Sequence, residues 1–170
     1  MKLFIRQKVF SWRSRFSVRD ESGNDVYSAW GEIMTIGRKL HVEDSFGEEK
    51  LLIHQKVLTI LPRYRIYCGG RFAAEIQRKL SLFRAKYDIS GPQCPGWSVT
   101  GSVTNHNYSI MSDSGTVATV SKAWLSWGDS YEIDYTDPDD ELLVLAAVLA
   151  IDCMNADADD AAMTTVTYNA

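Results

Sequence analysis

Ten consecutive apolar residues, Leu142 to Ile151, follow the acidic stretch Asp137-Pro138-Asp139-Asp140-Glu141. The acidic stretch is a helix start. Asp137 suits the N-cap, Pro138 suits the first turn, and the carboxylates face the positive end of the helix dipole. The run that follows is apolar all round instead of along one stripe, so the helix has to be covered on every side. A bilayer could do that only for about 20 residues. Ten residues require a protein cover, and no membrane span is expected.

The rest of the chain says what that cover is. A unit recurs in it: an apolar residue, Ser or Thr, a second apolar residue, a short spacer, an aromatic or Leu, and an apolar residue two further on. The copies are Phe10-Ser11-Trp12 with Phe16 and Val18; Met34-Thr35-Ile36 with Leu40 and Val42; Leu58-Thr59-Ile60 with Tyr64 and Ile66; Leu80-Ser81-Leu82 with Tyr87 and Ile89; and Leu125-Ser126-Trp127 with Tyr131 and Ile133. Tyr108 and Ile110 mark a degraded copy, with Val103 in the hydroxyl position. The hydroxyl positions lie 22 to 24 residues apart. This is short for a βαβ unit of about 30 residues and suits two short strands with two turns. Residues two apart share one face of a strand. Turn chemistry separates the copies at Glu21-Ser22-Gly23-Asn24, Asp44-Ser45-Phe46-Gly47, Cys68-Gly69-Gly70, Gly91 to Gly96 and Ser112-Asp113-Ser114-Gly115.

Six such copies give about twelve strands. An eight-stranded barrel is filled by its own side chains, whereas a wider one leaves a hole. A helix is about 10–12 Å across with its side chains. The predicted fold class is therefore mainly β: a closed antiparallel barrel of about twelve strands around a central, buried C-terminal helix. The alternative is a β-sandwich with the helix packed under one sheet. The predicted domain spans residues 1–155, with its helix over 138–155. Residues 156–170, with Asp157, Asp159 and Asp160, read as an acidic extension, in which Thr164 to Tyr168 could add a strand.

Gln7-Lys8-Val9-Phe10-Ser11-Trp12, Leu61-Pro62-Arg63-Tyr64, Lys122-Ala123-Trp124-Leu125-Ser126-Trp127-Gly128-Asp129 and the acid-led helix ending in Ala150-Ile151-Asp152 resemble the LURP-one-related family. That family belongs to the tubby C-terminal-like group, which also includes the phospholipid scramblases. The resemblance covers roughly residues 1–155 and implies a twelve-stranded barrel around a central helix. Tubby domains bind phosphoinositide head groups and scramblases act at membranes. None of tubby's lipid-binding residues is carried over to a position in this chain.

Charge is unevenly arranged. Residues 1–90 hold 17 Lys and Arg against 10 acids, and residues 91–170 hold one against 12. In an up-and-down barrel the spacers inside successive copies lie at one end. They carry Arg13 and Arg15, Arg38 and Lys39, Arg63, then Arg84 and Lys86. Asp20, Glu21, Asp44, Glu48 and Glu49 fall at the opposite rim. These seven cations are the candidate ligand-binding residues, for an anionic phospholipid, a phosphoinositide-like head group or a phosphorylated partner. Solvated turns that keep the protein soluble are the plainer reading. A protein–protein adaptor, or a structural fold without a small ligand, is the alternative function.

Other classes lack their signatures. The formal charge of −4 gives no reason to expect nucleic acid. Cys68, Cys94 and Cys153 are scattered, with no CxxC pair, which fits reduced cysteines in a cytoplasmic protein, peripheral at a membrane if it binds lipid. The basic start at Met1 to Lys8 has an apolar run too short for a signal peptide. His41, His54 and His106 show no metal-site spacing. GxSxG, P-loop and GxGxxG motifs are missing. Neither an enzyme nor a cofactor is expected.

Overall fold

The computed structural model describes residues 1–6, 16–32, 35–81, 86–123 and 130–167; for Arg6, Phe16, Pro95, Ser130 and 157–167 it describes the backbone alone. Twelve strands precede one long helix. They are β1 (Lys2–Arg6), β2 (Phe16–Arg19), β3 (Asp25–Glu32), β4 (Lys39–Asp44), β5 (Glu49–Gln55), β6 (Arg63–Cys68), β7 (Arg71–Lys79), β8 (Lys86–Gly91), β9 (Cys94–Ser102), β10 (Asn107–Ser112), β11 (Gly115–Lys122) and β12 (Ser130–Tyr135). The helix, α1, spans Glu141–Thr167. Each strand pairs antiparallel with its sequence neighbours, and β1 pairs with β12 from Lys2↔Asp134 to Arg6↔Ser130, which closes the barrel. Closure removes both sheet edges.

The barrel has two distinct ends. At the base, tight turns join β2 to β3, β4 to β5, β6 to β7, β8 to β9 and β10 to β11. Gly23, Gly47, Gly69 and Gly70 take positive φ there, as such turns require. The chain also passes from β12 into α1 at the base. Asp137 caps a short 3₁₀ turn, its carboxylate accepting from the Asp139 N–H at 3.0 Å. The other end, the mouth, carries the longer connections, including those from β3 to β4, β5 to β6 and β7 to β8.

The aromatic–aliphatic pairs of the repeat point inward. Tyr64, Tyr87, Tyr108 and Tyr131 form one buried layer near the mouth, with Ile66, Ile89, Ile110 and Ile133 below it. They enclose α1, in which Val144 to Ile151 are all 0% exposed. Ala146, Ala147 and Ala150 keep the helix slim, and it runs closest to β5, β6 and β7. The triplets behave differently. Thr35-Ile36, Leu58-Thr59-Ile60 and Leu80-Ser81 lie in the mouth connections, not in the wall. The helix does not stop at residue 155: it is continuous to Thr167, so Thr164 to Thr167 form no strand.

One close approach in the wall is readable as a prediction. A Cβ on Gly91 would stand 2.5 Å from Ala74 Cα, and nearer still to the Ala73 carbonyl oxygen. Both obstacles are backbone, so the strand itself has to shift. Gly91→Ala is expected to destabilise the protein by about 1–3 kcal/mol, the usual range for overpacking. The midpoint of urea unfolding reads this; an unchanged midpoint would mean that β7 and β8 part freely.

Candidate functional site

The mouth brings together the chemistry that the wall and the base lack. Lys39 opens β4, Arg63 opens β6 and Lys86 opens β8, all at this end. Arg38 immediately precedes β4; its N–H donates to Gln55 Oε1 at 3.0 Å, and the Gln55 N–H returns to its carbonyl at 2.8 Å. Arg13, Arg15 and Arg84 lie outside the described residues. Further cations at this end include Lys56, Arg78, Lys79 and Lys122.

Not all these charges are equally available. Lys39 Nζ lies 3.2 Å from Glu32, and Arg63 Nη1 lies 3.0 Å from Glu75. Both pairs sit on the outer wall, where solvent weakens them. Lys86 is exposed and directly opposite Lys79, whose own partner is Asp88 at 2.9 Å. Like charges opposite one another weaken a sheet. Asp88 offsets the charge of Lys79, and the exposed Lys86 leaves this part of the rim net positive.

The two ends differ sharply in charge. The described mouth connections, 35–38, 56–62, 80–81 and 103–106, contain Arg38 and Lys56 and no acid. The base connections contain Asp20, Glu21, Glu48, Asp113, Asp137, Asp139 and Asp140 and no Lys or Arg. Glu141 is anchored at the base, accepting from Tyr27 Oη at 2.5 Å and from Tyr135 Oη. Burial, followed by that carboxylate, raises both phenol pKa values.

The mouth also exposes large apolar side chains. Leu58 and Ile60 are fully exposed, Ile36 is 85% exposed and Leu80 83%. These belong to the triplets of three successive repeat copies. The sequence pattern marked them as regular, but periodicity alone does not say whether a regular apolar residue faces a core or solvent.

Inside the mouth, α1 is tied to the wall by polar groups. Tyr131 Oη donates to Asp152 Oδ2, and His106 Nε2 stands 3.3 Å from Asp152 Oδ1. The His106 ring stacks on Tyr131 with centroids 4.3 Å apart. Tyr87 Oη donates to Asn155 Oδ1 at 3.0 Å. Asp152 is only 7% exposed, and these contacts satisfy both its oxygens. Burial first, and the Asp152 charge second, holds the Tyr108 and Tyr131 hydroxyls well above the ordinary tyrosine pKa. The signal for this tie was present in the sequence. Asp152 is the first acid after the apolar run, and a Tyr recurs at one repeat position. Their meeting depends on how far α1 is inserted.

A shallow cleft of about 250 Å3 adjoins His106, lined also by Asn105, Asn107, Ser121 and Lys122. Among the described residues no cluster of His, Cys, Asp and Glu is placed to hold a metal ion, and no helix is long and apolar enough to cross a membrane. His41 lies on the outer wall, its two ring nitrogens 2.7 Å from Glu32 and 2.5 Å from Glu49. With Trp30 stacked on it at 4.3 Å, it is part of a surface polar network.

The barrel and its enclosed helix have known counterparts. A crystal structure of a protein from Arabidopsis thaliana superposes with a TM-score of 0.63 at 15% identity, covering 89% of this chain and 90% of that one. At that identity the likeness speaks for the fold alone. The uncharacterized protein YxjI of Bacillus subtilis (strain 168) is 31% identical over 152 residues, which is 89% of this chain and 92% of YxjI. Residues 1–152, from the first strand to the buried Asp152, match the LURP-one-related family. The repeated strand pairs, the closed twelve-stranded wall and the helix held inside it are thus the features of a shared family, and this chain belongs to the LURP-one-related proteins.

Proposed function

We propose that this protein is a non-enzymatic, tubby-like binding module of the cytoplasm, whose basic mouth takes an anionic lipid head group or another phosphorylated ligand. Arg38, Lys39, Arg63 and Lys86 would supply the positive field, joined by Arg13, Arg15 and Arg84. One observation carries this reading: the described mouth connections hold cations and no acid, while those of the base hold acids and no cation. A molecule polarised in this way orients itself at a negative surface before contact. Each cation near an anionic membrane contributes about 1 kcal/mol, within a Debye length of about 10 Å at ordinary salt.

Vesicle sedimentation tests the proposal. The protein is expected to pellet with phosphatidylcholine vesicles that contain phosphatidylserine, to stay in solution with phosphatidylcholine alone, and to be released by salt. Changing Arg38, Lys39, Arg63 and Lys86 together to Glu should weaken this binding at least about 100-fold, the result of losing several contributions of about 1 kcal/mol. Circular dichroism checks that the variant remains folded. Equal pelleting with neutral and anionic vesicles, or full binding by the folded variant, would overturn the proposal. Thermal stabilisation by inositol hexakisphosphate, without vesicle binding, would identify a soluble ligand for the same cations.

A further inference from the structure

We infer that the occupant of the mouth is a lipid bilayer, and that Leu58, Ile60, Ile36 and Leu80 enter it while the neighbouring cations meet its head groups. The inference rests on the anion-binding reading above and names the partner of that same end. A charged rim by itself would suit any phosphate. The distinguishing feature is that the same three connections present large aliphatic side chains to water. Such exposure at the outermost points of a molecule marks an interaction surface. A small phosphorylated ligand has no use for these side chains. A bilayer has use for both kinds of group, because its surface is anionic and its hydrocarbon begins a few ångströms below.

The connections are built to hold these side chains outward. The Lys56 N–H donates to the Arg63 carbonyl at 2.9 Å, Thr59 Oγ1 donates to the Lys56 carbonyl at 3.2 Å, and the Arg78 N–H donates to the Pro62 carbonyl at 3.0 Å. These bonds tie both ends of the 56–62 loop, and Pro62 stiffens it. Leu58 sits at φ 60, a left-handed conformation that a leucine rarely adopts. The β3–β4 connection leans on this loop at Gly37, where a Cβ would lie 2.6 Å from the Gln55 carbonyl and 3.0 Å from Val57 Cγ1. The strain and the close packing fix a platform whose apolar points are already exposed before any partner arrives, so little ordering is needed on binding. Ile36, Leu58, Ile60 and Leu80 stand on three adjacent connections. Arg38, Lys56, Arg63, Lys79 and Lys86 lie among and beside them. Aliphatic tips with cations among and beside them match an anionic membrane surface.

The test is the double substitution Leu58→Ser with Ile60→Ser. Both side chains are fully exposed, so folding should be unaffected. Binding to phosphatidylserine-containing vesicles is expected to fall at least about 10-fold, while thermal stabilisation by inositol hexakisphosphate stays as in the parent. Ile60→Trp should keep vesicle binding, since Trp favours the membrane interface. Unchanged vesicle binding by the double Ser variant would overturn the inference. If the fourfold Glu variant above still loses binding in that case, the anion-binding reading stands and only insertion fails. If neither variant changes binding, both fail. Loss of a dimer in the Ser variant, seen by light scattering with vesicle binding intact, would assign the tips to a second copy of the chain and also overturn the inference.

Discussion

Leu145→Asp is expected to leave no folded protein. Leu145 is wholly buried in the middle of α1, between other residues that are themselves fully enclosed by the barrel. Among the described residues Asp152 is the one buried polar or charged side chain, so a carboxylate at 145 would meet no buried cation there. Burying an unpaired charge belongs to the mechanisms that exceed about 4 kcal/mol, against a total stability of about 5–15 kcal/mol for a domain. Leu145→Ala is the graded control. It removes about 2–5 kcal/mol through lost burial and the cavity left behind, so it should fold and melt early. Circular dichroism and urea unfolding distinguish the two. A Leu145→Asp protein with native spectrum and near-parental stability would mean that the helix is not held inside the wall.

The second large effect is at alkaline pH. Tyr87, Tyr108 and Tyr131 all have raised pKa values, in each case chiefly because they are buried. The sign follows from the direction of the shift. A phenol with a raised folded-state pKa contributes stability in full below the ordinary value of 10.0, and that contribution is lost as pH rises toward the folded value. Each group changes stability by about 1.4 kcal/mol per pH unit in that window. Several such phenols titrating together make stability fall steeply above pH 10. Tyrosinate absorbance should therefore rise cooperatively, together with loss of the β signal. Smooth titration of every tyrosine near pH 10 in a still-folded protein would contradict the buried layer.

Single substitutions separate the members of that layer. The Tyr108 hydroxyl is buried without a hydrogen-bond partner, so Tyr108→Phe should be neutral or stabilising at pH 7 and should lower the alkaline slope by one phenol's share, about 1.4 kcal/mol per unit. Tyr131→Phe deprives buried Asp152 of its donor and should cost about 1–3 kcal/mol at pH 7.

Much of the fold was legible because two constraints met. A helix apolar on every face demands enclosure, and a period of 22 to 24 residues with paired inward positions supplies about twelve strands. The inward pairs Tyr64/Ile66, Tyr87/Ile89 and Tyr131/Ile133 occupy their expected places because period-2 alternation is a local property of strands. The helix runs on past 155 to Thr167, since acidic residues such as Asp157, Asp159 and Asp160 are compatible with a coil and with a helix alike. At the site, Arg38, Lys39, Arg63 and Lys86 could be assigned to one end from strand order alone. The exposed tips could not. A triplet such as Leu58-Thr59-Ile60 has the composition of a buried strand, and only the finished hydrogen-bond ladder shows that the wall ends before it, at Gln55, and resumes after it, at Arg63.

By itself, then, the sequence determined the class of fold, the enclosed helix and the sorting of charge between the two ends. These depend on periodicity, composition and chain order, all of which are written locally. Tertiary structure alone decided that Asp152 meets Tyr131 and His106, that Lys79 stands against Lys86, and that Leu58 and Ile60 face water. Each of those depends on register and depth of insertion, which bring together residues whose separation along the chain carries no information about their distance in space.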